Sequence, residues 1–130
     1  MSDPVDTSPL VRMLLIDDEK GFVATLAKRL ARRNIEAIQA YSGREGIQAL
    51  RRQDFDVVVL DLKMEDMDGL EVLKIIKIMA PDLPVIMLSG HASDEAAHTG
   101  IKAGAFDYLT KPYDLNELLD KINAAMGKKK

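Results

Sequence analysis

The run Val57-Val58-Val59-Leu60 is apolar at four successive positions, and it stops at the carboxylate of Asp61. A strand without alternation is covered on both faces, the condition of a parallel sheet with helices on either side. The stretch that follows, Asp61-Leu62-Lys63-Met64-Glu65-Asp66-Met67-Asp68-Gly69, turns polar at once. In open α/β sheets ligands bind outside the carboxyl ends of the strands, so Asp61 stands where a site belongs. An aspartate at that place also suits a turn or a helix cap, and the run alone does not separate the readings.

The rest of the chain supplies neighbours for such a strand. Val11-Arg12-Met13-Leu14-Leu15-Ile16 reads as a first strand that ends in three acids, Asp17-Asp18-Glu19. Phe22, Val23, Leu26 and Leu30 recur at three- and four-residue spacing and predict a helix over residues 20–33, with Asn34 suited to its end. Residues 35–40 alternate and predict a half-exposed edge strand. Ser42 with Glu45 forms a capping-box pattern for a helix ending near Gln53, with Ile47 and Leu50 on its buried side. A helix over residues 69–80 carries Leu70, Leu73, Ile76 and Met79 and stops before Pro81.

Residues 84–90 form a second continuous apolar strand, ending in Ser89-Gly90. The helix over residues 93–103 has an apolar side of alanine plus Ile101, so it buries little area and should dock least firmly. A fifth strand over residues 105–110 closes at Lys111-Pro112. Asp114 and Glu117 repeat the capping pattern, Leu115, Leu118, Leu119, Ile122 and Met126 form an amphipathic stripe, and Gly127 is read as the stop. Five strands alternating with five helices imply an α/β fold with a parallel sheet covered on both faces.

At 130 residues, 47% apolar and 30% charged, the chain is one ordinary domain that needs no metal or disulfide for its core. We place the domain at residues 11–127, after a disordered lead-in at 1–10 and before a basic tail at 128–130. The chain has no cysteine, which excludes disulfides, thiolate metal sites and cysteine nucleophiles. No apolar run approaches the roughly 18 to 20 residues of a membrane span, and no signal peptide is visible, so a cytoplasmic location is expected. A net charge of -3 offers no broad attraction to polyanions, and Arg29, Arg32 and Arg33 read as a solvated helix face.

The chemistry lies in what the strand ends collect. Strands one, three, four and five end in Asp17-Asp18, Asp61, Ser89 and Lys111. If strands one and three are neighbours, three carboxylates meet in one crevice and call for a cation. A hard divalent ion such as Mg²⁺ takes oxygen ligands and keeps several waters, which leaves Asp61 free to react. Neither His91 nor His98 has partners suited to zinc. A carboxylate can attack a phosphoryl group when positive charge offsets the transferred oxygens; Mg²⁺ and Lys111 would supply it, and Ser89 would donate a hydrogen bond. Taken singly, Asp18 as a cap, Ser89 as a loop hydroxyl and Lys111 as a surface lysine are ordinary. Together those readings leave the matched strand-end positions unexplained.

The set Asp17-Asp18, Asp61-Leu62-Lys63-Met64, Asp68-Gly69, Leu88-Ser89-Gly90 and Leu109-Thr110-Lys111-Pro112 resembles the receiver domain of bacterial two-component response regulators, over about residues 11–127. The resemblance implies a flavodoxin-like three-layer sandwich with strand order 2-1-3-4-5. It further implies that Asp61 accepts a phosphoryl group from a sensor histidine kinase or a histidine phosphotransfer protein. Mg²⁺ would be bound by Asp18, Asp61 and the Lys63 carbonyl, with Asp17 acting mainly through water. Ser89 and Lys111 would contact the phosphoryl group, and Lys111-Pro112 would be a cis peptide. Two departures stand out: Glu65 replaces the usual proline and adds charge beside the site, and Ser89 replaces the commoner threonine. Gly90 and His91 occupy positions that influence dephosphorylation in the family.

For the output, the alanine-faced fourth helix is the expected bistable element. Family resemblance supports a switch in which Ser89 moves toward the phosphoryl group and Tyr108 turns inward; a static, surface-lying Tyr108 is the alternative. The face formed by helix four, strand five and helix five would then change its partner preference, with phosphorylation-dependent dimerisation one form this takes. No nucleic-acid or membrane binding is expected, and no effector domain is read after Met126, which leaves a stand-alone receiver or part of a longer regulator open. An aspartate-nucleophile phosphatase resembling the haloacid dehalogenase family usually carries a second acid where this chain has Lys63. A flavin-binding flavodoxin-like protein needs a phosphate-cradling first loop in place of Asp17-Asp18-Glu19.

Overall fold

Strands and helices alternate through the described residues. A computed structural model describes residues 11–90 and 94–129. The elements are β1 (Val11–Ile16), α1 (Lys20–Ala31), β2 (Ile35–Ala40), α2 (Gly43–Arg52), β3 (Val57–Asp61), α3 (Gly69–Met79), β4 (Val85–Ser89), α4 (Asp94–Lys102), β5 (Asp107–Thr110) and α5 (Leu115–Lys129). All strands pair in parallel in the order β2-β1-β3-β4-β5, as expected. The lead-in at 1–10 and the start of the fourth helix at Ser93 lie outside the described residues.

Strand parity divides the core into two layers. Met13, Leu15, Val57, Val59, Ile86, Leu88 and Leu109 pack against Val23, Leu26 and Leu30 of α1 and Leu118 and Ile122 of α5. Leu14, Ile16, Val58, Leu60, Val85 and Met87 face the other way, onto Val72, Leu73 and Ile76 of α3. β1, β3 and β4 are apolar on both faces because each lies between two other strands and under helices on both sides. β2, at the edge, keeps Glu36 and Gln39 exposed.

The helix boundaries follow local hydrogen bonding. Asn34 takes a left-handed φ of 62° after α1, a conformation that asparagine tolerates well. The Ser42 hydroxyl accepts from the Glu45 N–H at 3.1 Å, while the Glu45 carboxylate reaches one residue further back, to the Tyr41 N–H. Asp114 and Glu117 form the complete reciprocal box, at 2.9 and 3.1 Å. Asp68 caps α3 by accepting from the Leu70 N–H at 3.0 Å. Asp68→Ala should therefore cost about 1 kcal/mol, seen as a lower urea midpoint at unchanged slope; an unchanged midpoint would show the cap to be idle.

Several sequence expectations are corrected by packing. Gly127 lies inside α5, which runs on to Lys129, because a glycine in a helix costs only about 1 kcal/mol against alanine and need not stop it. In α2 the buried residues are Gly43 and Gly46, with Ile47 and Leu50 half-buried. The helix comes so close to β1 that a Cβ on Gly46 would sit 2.8 Å from Ile16 Cγ1, so only glycine faces the sheet there. In α4 the buried positions are Ala97 and Gly100, and Ile101 is 42% exposed. A side chain at Gly100 would collide with the Met87 sulfur, which sets α4 close to the sheet and turns Ile101 outward. Phe22 and Met79 are likewise 36% and 38% exposed, at the rims of their helices.

Candidate functional site

Parity along the strands sorts the site residues before any side chain is considered. Leu15, Val59 and Leu109 face the α1/α5 layer, and Asp17, Asp61 and Lys111 each follow two residues later, so they emerge on that side of the sheet's carboxyl edge. The contacts agree. Lys111 Nζ lies 3.0 Å from Asp17 Oδ2 and 3.5 Å from Asp61 Oδ2. β1 and β3 are neighbours, with Ile16 paired to Leu60, so the two aspartates come from adjacent strand ends.

Each group is held from a second direction. Asp17 is fully buried and accepts from the Glu19 N–H at 3.0 Å through its other oxygen. Asp61 is 4% exposed and accepts from the Lys63 N–H at 3.1 Å. Lys111 also bonds Glu19 Oε1 at 3.0 Å, and its peptide bond to Pro112 is cis. The Lys111 N–H donates to the Ser89 carbonyl at 2.7 Å, which fixes the start of this loop against β4.

The electrostatics follow from that burial. Asp61 is raised to about 6, chiefly by burial, opposed by the Lys63 N–H and by Lys111 and reinforced by Asp17. Burial works against charge on Lys111, but its bonds to Asp17 and Glu19 outweigh it and push the ammonium well above the usual lysine range. A pair of buried acids beside one lysine is a site short of positive charge.

Asp18, Glu19, Asp61, Lys63, Met64, Glu65, Gly90 and Lys111 line a cleft of about 380 Å³ at this edge. Oxygens of Asp17, Glu19 and Asp61 lie within 4.8 Å of one another. Carboxylates alone suit a hard cation such as Mg²⁺, so the donor set fits the expected metal. Of the four expected ligands, Asp17 and Asp61 stand in this cluster, while Asp18 and Lys63 line the cleft beside it. A larger hollow of about 730 Å³ opens beside Arg12, Asp56 and Pro81. Asp54, Asp56 and Asp82 line it, but among the described residues only the Asp17, Glu19 and Asp61 carboxylates converge closely enough to share an ion, and Asp56 already accepts from the Arg12 N–H.

Ser89 is buried at the end of β4 and shares parity with Met87, so it approaches from the α4 side of the sheet. Tyr108 is paired with Met87 on β5 and lies on that same side, 38% exposed. His91 lies outside the described residues. Two contributors escaped sequence reading. Glu19 is the third acid of Asp17-Asp18-Glu19, and its adjacency was the available signal. Asp66 accepts from the N–H groups of Gly43 and Arg44 at 3.0 and 3.1 Å, tying the loop after β3 to the start of α2. Its slight burial works the other way, but those N–H groups hold its carboxyl below the usual range. No local pattern announces a partner 23 residues away.

A five-stranded parallel α/β sheet with an acidic cleft at its carboxyl edge defines a class of domain, and comparison with known proteins gives its family. The model for the response regulator receiver domain matches residues 13–123, and the chain belongs to that family. It is 37% identical over 114 residues to the transcriptional regulatory protein GlrR of Escherichia coli K12, covering 88% of this chain and 26% of that protein. It is 33% identical over 120 residues to the cell cycle response regulator CtrA of Brucella ovis, covering 92% of this chain and 52% of that protein. The chain thus spans a quarter to a half of these relatives. Among solved structures it resembles the receiver domain of the Francisella response regulator 1452, with TM-score 0.85 and 32% identity over 92% of this chain and 99% of that one. It also resembles a CheY-like receiver domain from Methanospirillum hungatei JF-1, with TM-score 0.89 and 29% identity over 93% and 97%. Membership sets aside the phosphatase and flavodoxin alternatives. No helix among the described residues is long and apolar enough to cross a membrane.

Proposed function

We propose that this receiver domain is a phosphoacceptor switch in which Asp61 takes a phosphoryl group from the phosphohistidine of a sensor kinase or phosphotransfer protein in the cytoplasm. The observation that carries the reading is the buried Asp61 carboxylate with Lys111 Nζ 3.5 Å away at the floor of an open cleft. An Asp61 oxygen attacks phosphorus, a P–O bond forms as the P–N bond breaks, and the histidine leaves as neutral imidazole after taking up a proton. The Lys63 N–H orients the nucleophile through its other oxygen. Lys111, already drawn among acids, shifts its attraction to the incoming phosphoryl oxygens, and Ser89 donates to one of them. Mg²⁺, held by Asp17, Asp18, Asp61 and the Lys63 carbonyl, would supply the remaining positive charge when bound. Glu65 on the cleft wall adds a negative charge to the site.

The domain acts on itself alone, gaining and slowly losing its phosphoryl group, and is not a turnover enzyme. Its output runs through Ser89, Tyr108 and the α4/β5/α5 face, where among the described side chains of α4 only the small residues Ala97 and Gly100 are buried, so little apolar area opposes a rearrangement. A downstream protein or linked effector reads that face, as the monomer or a phosphorylation-dependent dimer.

Intact mass after incubation with acetyl phosphate should show one labile phosphoryl group, dependent on Mg²⁺ and absent from Asp61→Asn. Equal uptake by the mutant would move the acceptor elsewhere. No uptake by the wild type, from acetyl phosphate or histidine kinases, would leave only partner binding by the unmodified fold.

A further inference from the structure

The exposed Phe22 lacks a packing explanation in the α1 stripe, and its neighbours supply another. Lys111 Nζ lies 4.9 Å from the centroid of the Phe22 ring. Tyr113, two residues beyond Lys111, meets the same ring edge-on, with centroids 6.2 Å apart and planes at 89°. The ring is therefore gripped by both ends of the Lys111-Pro112-Tyr113 turn, one giving a cation to its face and the other an edge contact. We propose that Phe22 is a positioning residue for Lys111, holding the ammonium over Asp61 by a cation–π contact while the carboxylates around it change partners. The proposal rests on the phosphoacceptor reading of the site.

The physical need is specific. A lysine carries four flexible side-chain bonds, and here Asp17 and Glu19 hold its ammonium at 3.0 Å each. Both acids are also within reach of any cation in the cleft. Once they turn toward a metal ion, their hold on Lys111 weakens, whereas an aromatic face attracts ammonium and binds no hard divalent ion in water. Phe22 thus steadies Lys111 at the stage when it must meet developing negative charge on the phosphoryl oxygens. Tyr113 meets the ring through its edge, and its buried hydroxyl has no hydrogen-bond partner among the described residues.

Such positioning acts in the transition state, so the loss should fall on maximal rate and spare donor affinity. With acetyl phosphate and saturating Mg²⁺, Phe22→Leu should lower the maximal phosphorylation rate about five-fold or more at a KM within about two-fold of wild type, and Phe22→Tyr should restore it. A second readout needs no phosphoryl donor. The Lys111 ε-methylene protons should be shifted upfield by the ring in wild type and Phe22→Tyr, and return to ordinary lysine values in Phe22→Leu. Wild-type rate in Phe22→Leu, equal losses in the Leu and Tyr variants, or no upfield shift in wild type would each overturn the inference. A wild type that takes up no phosphoryl group would sink the phosphoacceptor reading instead, and the proton shift then decides where Phe22 holds Lys111.

Discussion

Asp61→Asn should make the protein more stable while abolishing phosphoryl uptake. The buried Asp61 carboxyl is raised from 3.8 to about 6 in the folded chain, with the attraction of Lys111 already included. Between these values the folded state binds more protons than the unfolded one, so stability falls as pH rises from about 4 to about 6 and levels off above. The full cost at neutral pH is about 2–3 kcal/mol, at about 1.4 kcal/mol for each pH unit of displacement. Asparagine keeps an acceptor for the Lys63 N–H and removes the charge. Urea unfolding in chelator at pH 8 should show the variant ahead by about that amount, and at pH 4 the two should converge. Parallel pH profiles would mean that the cost of the acidic pocket lies elsewhere. Added Mg²⁺ should recover stability in the wild type and much less in the variant, since binding only the folded state shifts the balance by mass action.

Gly69→Ala should be among the most damaging single-methyl additions in the chain. Gly69 opens α3, where alanine is intrinsically the better helix former by about 1 kcal/mol. A Cβ there would nevertheless overlap the Leu62 backbone, including its carbonyl oxygen at 2.7 Å. Backbone cannot swing aside as a flexible side chain can. The Gly69 N–H also donates to that Leu62 carbonyl at 3.1 Å, so any retreat breaks the bond that closes the loop behind Asp61. We expect a loss of about 2–4 kcal/mol, together with slower phosphorylation, since residues 62–68 would shift. Gly21→Ala is the internal control: nothing lies within 4 Å of its added methyl, so that variant should gain about 0.5–1 kcal/mol. If both substitutions are neutral, close approach at Gly69 does not determine the loop.

The site was more legible than the helices around it. Asp17, Asp61 and Lys111 could be placed together because each ends a strand whose apolar run is unmistakable, and parallel pairing brings those ends to one edge. Helix faces were harder. Ile47, Ile101 and Phe22 are apolar at helical spacing, yet small residues took the buried positions in α2 and α4, and Phe22 turned toward a lysine. A stripe records which side of a helix is apolar, not how closely that helix approaches the sheet. That distance is set by pairs such as Gly46 with Ile16 and Gly100 with Met87, which are remote in sequence.

The order of strands and helices, their caps at Ser42 and Asp114 and the acids at strand ends were determined by the sequence itself, because each depends on neighbours within a few residues. The tertiary structure alone decided that Glu19 joins Asp17 and Asp61, that Asp66 ties the loop to α2 and that Phe22 lies beneath Lys111. Those contacts join groups far apart along the chain, Phe22 and Lys111 above all, and only the packed sheet sets the distances on which their strength depends.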